Sequence, residues 1–367
     1  MDQTSLEFIA AKTHLSVGEM QAVWGLAAQF DKSLNAPEAL LRAFVEKRVV
    51  PTSFSHTRLF RRMARCEPSL FWDFPLKPRR CDSRFPLSTL LSELRFGLPS
   101  SARARVRKEN YNEFLPVPSV LDRWLRARSV FGVTDLHYIG TGFDTRINTA
   151  ALNDFNLLPR GTDGFQSQDS LVISSAGAVT DSHSDDHSGS NHSFTGAKLW
   201  LLWDTLDGLE HGLEDVERCQ VHGRAAFELR TFLALPSSCW ILIGPGQTMF
   251  IPAHLSHKVI TLEPYLGLGS FHAGLPGFVD LLKRWTQLRP LWASRSRRSN
   301  RCSVEFLTRR AIRQIQWLRT ATQRERLHWG VPHLQWRLRQ RDVNGSDRHE
   351  LEMPYDLREF VRAAAKL

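Results

Sequence analysis

Thr180-Asp181-Ser182-His183-Ser184-Asp185 is the stretch on which the reading of this chain turns. Residues two apart on a β-strand project to the same face. At a strand end, His183 and Asp185 therefore present an imidazole and a carboxylate side by side. Those groups suit a divalent metal such as Fe(II), and the lack of a thiolate argues against structural zinc. A third ligand has to come from elsewhere. Phe250-Ile251-Pro252-Ala253-His254-Leu255-Ser256-His257-Lys258-Val259 offers His254 and His257 at the mouth of a later strand. A set of two histidines and one carboxylate leaves the remaining positions of the metal open to small ligands.

Working outward, Lys198 lies fifteen residues after His183, in Gly196-Ala197-Lys198-Leu199-Trp200. Alternation puts Lys198, Trp200 and Leu202 on one side of a strand. A lysine in a run this apolar needs an anionic partner, because a buried unpaired ammonium is costly. The distal carboxylate of a 2-oxo acid would supply one, and Thr180 could donate its hydroxyl to the same group. Further β-type runs are Leu136–Ile139, Ser170–Ser174, Ala197–Trp203, Cys239–Ile243, Met249–Pro252 and His257–Leu262, separated by Gly, Pro, Asp and Ser. Short strands with turn signals indicate a sandwich or jelly roll. Asp181–Ser193, rich in Ser, Asp and His, is expected to be a polar loop, with His187 and His192 solvated or facing substrate. A zinc cluster of His183, His187 and His192 with Cys219 and His222 competes, but Cys219 and His222 have no matching second pair.

Leu171-Val172-Ile173, Gly177-Ala178-Val179-Thr180, His183-Ser184-Asp185 and Gly196-Ala197-Lys198 together resemble the core of the Jumonji C (JmjC) oxygenases. The similarity is to the subgroup of the asparaginyl hydroxylase that acts on hypoxia-inducible factor. It spans roughly residues 130 to 275. Gly246-Gln247-Thr248-Met249-Phe250-Ile251-Pro252 with His257 is similar to that family's second iron-binding strand, and the proline five residues earlier favours His257 over His254. The resemblance implies a double-stranded β-helix (a cupin-like jelly roll). It also implies Fe(II) on His183, Asp185 and His257, and 2-oxoglutarate held by Lys198, Thr180 and Tyr138. The implied reaction consumes 2-oxoglutarate and O2, releases succinate and CO2, and hydroxylates a C–H bond. A peptide or protein side chain is the expected substrate, with lysine demethylation or a small metabolite as alternatives. Where the resembling hydroxylase subgroup carries an Asn near the iron on the strand after the distal histidine, this chain carries Ser270.

The flanks read differently. Residues 1 to 130 are expected to be mainly helical, with candidates opening at Ala36-Pro37-Glu38 and over Thr57–Arg65, Pro86–Phe96 and Pro118–Arg128. Residues 131 to 275 form the expected catalytic core. Residues 276 to 367 read as a basic helical extension, with helices over Phe278–Trp285 and Val304–Arg319. From Lys283 to Arg326 there are thirteen Lys or Arg against two Glu, which accounts for the whole chain's net charge of +10. Such a run is ordinarily a solvated helix face, here with Trp285, Trp317 and Leu318 buried behind it. An acidic partner such as nucleic acid is the alternative. The resemblance adds a homodimer through these helices. No run of eighteen apolar residues occurs, so no membrane span is expected. Five scattered cysteines without a CxxC pair fit a reduced, intracellular compartment, cytoplasmic or nuclear.

Overall fold

The computed structural model describes residues 46–76, 94–98, 103–107, 112–126, 130–137, 154–158, 169–213, 227–288, 298–340 and 355–367, with positions 21, 25, 92 and 151. Tyr138, Cys219, His222 and the helix expected at Ala36 lie outside the described residues, as does most of the one expected over Pro86–Phe96.

In chain order the elements are α1 (His56–Ala64), β1 (Ser69–Phe71), β2 (Arg103–Arg107), β3 (Asn112–Pro116), α2 (Val117–Leu125) and β4 (Gly132–His137). Then come β5 (Ser170–Ser174), β6 (Val179–His183), β7 (Ser188–Thr195), β8 (Lys198–Asp204), α3 (Thr205–Glu210), α4 (Leu229–Ala234), β9 (Cys239–Ile243), β10 (Thr248–Ile251), β11 (Leu255–Thr261) and β12 (Tyr265–His272). The C-terminal layer is α5 (Phe278–Leu288), α6 (Arg298–Leu318), α7 (Gln323–His328), α8 (Val331–Leu338) and α9 (Tyr355–Ala364).

The strands form two antiparallel sheets. The larger has the order β1-β10-β7-β12-β5-β4-β2-β3 and the smaller β6-β11-β8-β9. From β5 onward the chain passes back and forth between them, save that β8 and β9 stay together: β5, β7, β10 and β12 lie in the large sheet, β6, β8, β9 and β11 in the small one. Between the sheets lies a core of Trp200, Leu202, Ile241, Ile243, Leu255 and Val259 from the small sheet with Leu70, Val172, Met249, Ile251 and Tyr265 from the large one. Each such side chain contributes roughly 1.5–3 kcal/mol by leaving water. The large sheet buries its other face too. Leu171, Ile173, Leu266 and Leu268 pack there with Leu59 and Phe60 of α1 and Val120, Leu121 and Trp124 of α2. Two-sided burial explains why β5, Ser-Leu-Val-Ile-Ser, is nearly apolar throughout.

The N-terminal part carries strands as well as helices. Arg103-Ala104-Arg105-Val106-Arg107 has a period of two, with Ala104 and Val106 buried, and forms β2 within the region expected to be helical. Helices α1 and α2 stand where expected. Ser188–Thr195 corrects the expected polar loop. It is an interior strand between β10 and β12, built almost entirely from polar residues. It closes into β8 through Gly196 (φ +75°), where an added Cβ would lie 2.1 Å from the Pro264 carbonyl oxygen.

The C-terminal helices bury Leu281, Leu282, Trp285, Leu307, Ala311, Ile315, Leu318, Leu334 and Phe360 together. Trp317 departs from expectation and is 45% exposed. No helix among the described residues is long and apolar enough to cross a membrane.

Candidate metal centre

His183, Asp185 and His257 come together with their ligand atoms all within 4.8 Å of one another. His183 closes β6 and lies directly opposite His257 of β11. The ring centroids are 4.2 Å apart, and Nε2 of His257 is 3.8 Å from a carboxylate oxygen of Asp185. Nδ1 of His183 donates to the Asp181 carbonyl at 2.8 Å, and Nδ1 of His257 donates to the Leu255 carbonyl at 3.0 Å. With Nδ1 protonated by these partners, Nε2 of each ring keeps the lone pair a metal needs. Burial, reinforced by the neighbouring His183, lowers the pKa of His257 to about 4. The Asp185 carboxylate pulls the other way and does not offset them, so the pair is read as two ligands facing one point rather than as a salt bridge. His257 is buried, whereas the Asp185 side chain is 31% exposed, so the site opens on the Asp185 side. Two imidazoles and one carboxylate fit a divalent ion with open coordination positions.

Geometry separates His254 from His257. His254 occupies the turn between β10 and β11 with φ +57°, a left-handed conformation rare outside glycine but tolerated by histidine. Its ring is fully buried with Trp285 at 6.2 Å, away from the metal group. Its backbone N–H donates to the Asp185 carbonyl at 2.8 Å, tying the two loops that carry metal ligands. Of the two histidines expected in the loop, His187 is half-buried and His192 is buried. Nδ1 of His192 hydrogen-bonds the Thr248 hydroxyl at 2.7 Å. Burial lowers the pKa values of His187 and His192 to about 4 each. Neither joins the metal group, so of the zinc alternative's described members only His183 remains there.

Thr180 and His183 are three residues apart and would face opposite ways on a regular strand. The ladder resolves this. His257 pairs with His183 and Val259 with Thr180, so two steps on β11 face three on β6. That extra residue is a β-bulge. It places Thr180 opposite Val259, whose side chain belongs to the core between the sheets. Lys198, Trp200 and Leu202 share that interior face; Leu202 pairs with His257, and Lys198 with Thr261 four residues further along β11. The offset is about 13 Å along the strand. Lys198 is buried, and desolvation alone lowers its pKa to about 7. Among the described residues no acidic side chain pairs with it. Ser270 is buried and donates to Asp169. It lies on the Leu266 and Leu268 face of β12, so Gly269 takes the position facing the interior. Composition did not single out Tyr265, whose ring stands beside Lys198.

No protein-family model matches the chain, and no curated protein matches it significantly.

Proposed function

We propose that the chain is an Fe(II)- and 2-oxoglutarate-dependent oxygenase of the JmjC type, built on a jelly-roll core. The observation that carries this reading is the shared interior face. His183, Asp185 and His257 converge at one end of it, and a buried lysine without an acidic partner among the described residues stands at the other. The passage of β5 to β12 back and forth between two sheets, with only β8 and β9 staying in one, supports the jelly roll. His183, Asp185 and His257 would hold the iron, Lys198 would take the distal carboxylate of 2-oxoglutarate, and Thr180 would donate to it. Bound iron supplies the redox chemistry by which O2 is split between co-substrate and substrate. The chain's own part is to fix the two rings through Nδ1, orient the co-substrate and keep water from the buried side.

The proposed substrate is a peptide or protein side chain, ahead of lysine demethylation and of a small metabolite. Its support is narrower than the sequence suggested, because Ser188–Thr195 is a strand rather than a loop at the mouth. Among the described residues, the open side carries the turn from Ser184 to His187, with Asp185 and Asp186 partly exposed. The test is incubation with Fe(II), 2-oxoglutarate and O2. Succinate formation that requires all three is expected, and a mass gain of one oxygen in a peptide pool identifies the substrate. Formaldehyde from trimethyl-lysine peptides, with no oxygen added elsewhere, would overturn the preference for hydroxylation. No succinate under any condition would overturn the oxygenase reading.

A further inference from the structure

The end of the interior face away from the metal has an architecture that the reading above does not use. Nζ of Lys198 lies 4.4 Å from the centroid of the Tyr265 ring. Tyr265 opens β12, is fully buried and belongs to the core between the sheets. Its hydroxyl donates to Oδ1 of Asn191 on β7, itself buried. Burial pushes the phenol's pKa up, so it remains a neutral donor.

The ring reaches this position over Gly267. A Cβ there would lie 2.5 Å from the Tyr265 hydroxyl oxygen, 2.6 Å from its Cε1 and 2.5 Å from the His192 carbonyl oxygen. Any side chain at 267 would displace the ring or the neighbouring strand. On the opposite wall Trp200, two residues after Lys198, has its indole Nε1 buried with no hydrogen-bond partner, and its ring lies 5.2 Å from that of His257.

An aromatic face attracts an ammonium through its quadrupole, most strongly where water is excluded. Unlike a carboxylate, it does not neutralise the charge. An aliphatic wall would give the ammonium no support at all. A ring therefore favours the cationic form of a buried lysine and leaves it free to pair with an arriving anion.

We propose that Tyr265, clamped by Asn191 and admitted by Gly267, is a positioning residue that supports the Lys198 ammonium and aims it at the distal carboxylate of a 2-oxo diacid. The inference rests on the co-substrate reading above. It makes Tyr265 a discriminator between a dianion and a monoanion of the same length.

The test uses the full chain loaded with Mn(II), which binds ligands without turnover, and calorimetric titration with two probes. One is 2-oxoglutarate. The other is 2-oxopentanoate, which has the same five carbons and no distal carboxylate. Tyr265→Leu is expected to weaken 2-oxoglutarate about tenfold and leave 2-oxopentanoate unchanged. Tyr265→Phe, which keeps the ring, is expected to stay within about threefold for both. Tyr265→Leu added to Lys198→Ala is expected to cost nothing more. If Tyr265→Leu does not fold, Asn191→Ser unclamps the ring and is expected to weaken 2-oxoglutarate alone, about threefold. Equal loss of both probes would make Tyr265 a structural wall and overturn the inference, as would unchanged 2-oxoglutarate affinity in Tyr265→Leu. If Lys198→Ala binds 2-oxoglutarate like the wild type, the co-substrate reading itself falls.

Discussion

His254 and His257 sit three residues apart around one turn, and the backbone separates their duties. His257 offers Nε2 to the metal group, whereas His254 gives its N–H to the Asp185 carbonyl and buries its ring beside Trp285. His257→Ala is therefore expected to lose Fe(II) binding with the fold kept. His254→Ala is expected to retain the metal but lose about 2 kcal/mol of stability, through a vacated ring site and a strained φ. Thermal melts with metal titration check both. Lys198 makes a signed prediction. Its pKa is lowered to about 7 from 10.5, so the empty protein is expected to gain stability as pH rises from about 7 toward 10.5, where the unfolded chain binds the extra proton. Affinity for 2-oxoglutarate runs the other way and falls as pH rises through about 7, because the neutral amine attracts no carboxylate. Lys198→Met should flatten both profiles, read by melts and by titration across that range. The residue types at 183, 185, 198 and 257 were legible in the sequence because each is chemically costly to bury without a purpose. Tyr265 was not, since a tyrosine in a strand is ordinarily core and only the fold brings it beside Lys198.

At the scale of elements, legibility followed apolar content. β5 and β9 stand where the apolar runs put them, Ser170–Ser174 and Cys239–Ile243. β7 was missed because Ser-Gly-Ser-Asn-His-Ser-Phe-Thr looks like a solvated loop. Its burial is bought by side-chain hydrogen bonds: Ser190 to His272, Asn191 to Tyr265 and His192 to Thr248. Such pairings join residues 56 to 82 apart and have no local signature. The β6 bulge was also hidden, although the Thr180 to His183 spacing carried its trace, since an odd separation can share a face only if the strand is irregular. The β7–β8 turn depends on Gly196. Gly196→Ala is expected to cost about 3 kcal/mol, from positive φ combined with collision against Pro264, and to lower the melting temperature by several degrees. A melt indistinguishable from wild type would contradict the turn geometry.

For the whole molecule, the large sheet takes strands from both sides of residue 130, β1 to β3 before it and β4, β5, β7, β10 and β12 after it, and helices cover its outer face. The change of character seen near 130 in the sequence is thus a change of composition within one sheet. The described part of the basic C-terminal segment has an apolar back made by Leu307, Ala311, Ile315 and Leu318. A bidentate pair, Arg337 to Asp280 at 2.6 and 2.8 Å, ties α8 to α5 with both side chains nearly buried. Asp280→Asn is expected to cost about 3 kcal/mol by leaving the guanidinium uncompensated, measured by denaturant unfolding. The central claim concerns the metal and co-substrate together, so the most direct measurement looks at both in one spectrum. Fe(II) is added anaerobically to the purified chain, followed by 2-oxoglutarate, and the visible absorption is recorded. A charge-transfer band is predicted that appears only with both, survives in His254→Ala and vanishes in His257→Ala. A chain that gives no band, or one whose band is lost in His254→Ala and kept in His257→Ala, would contradict the account.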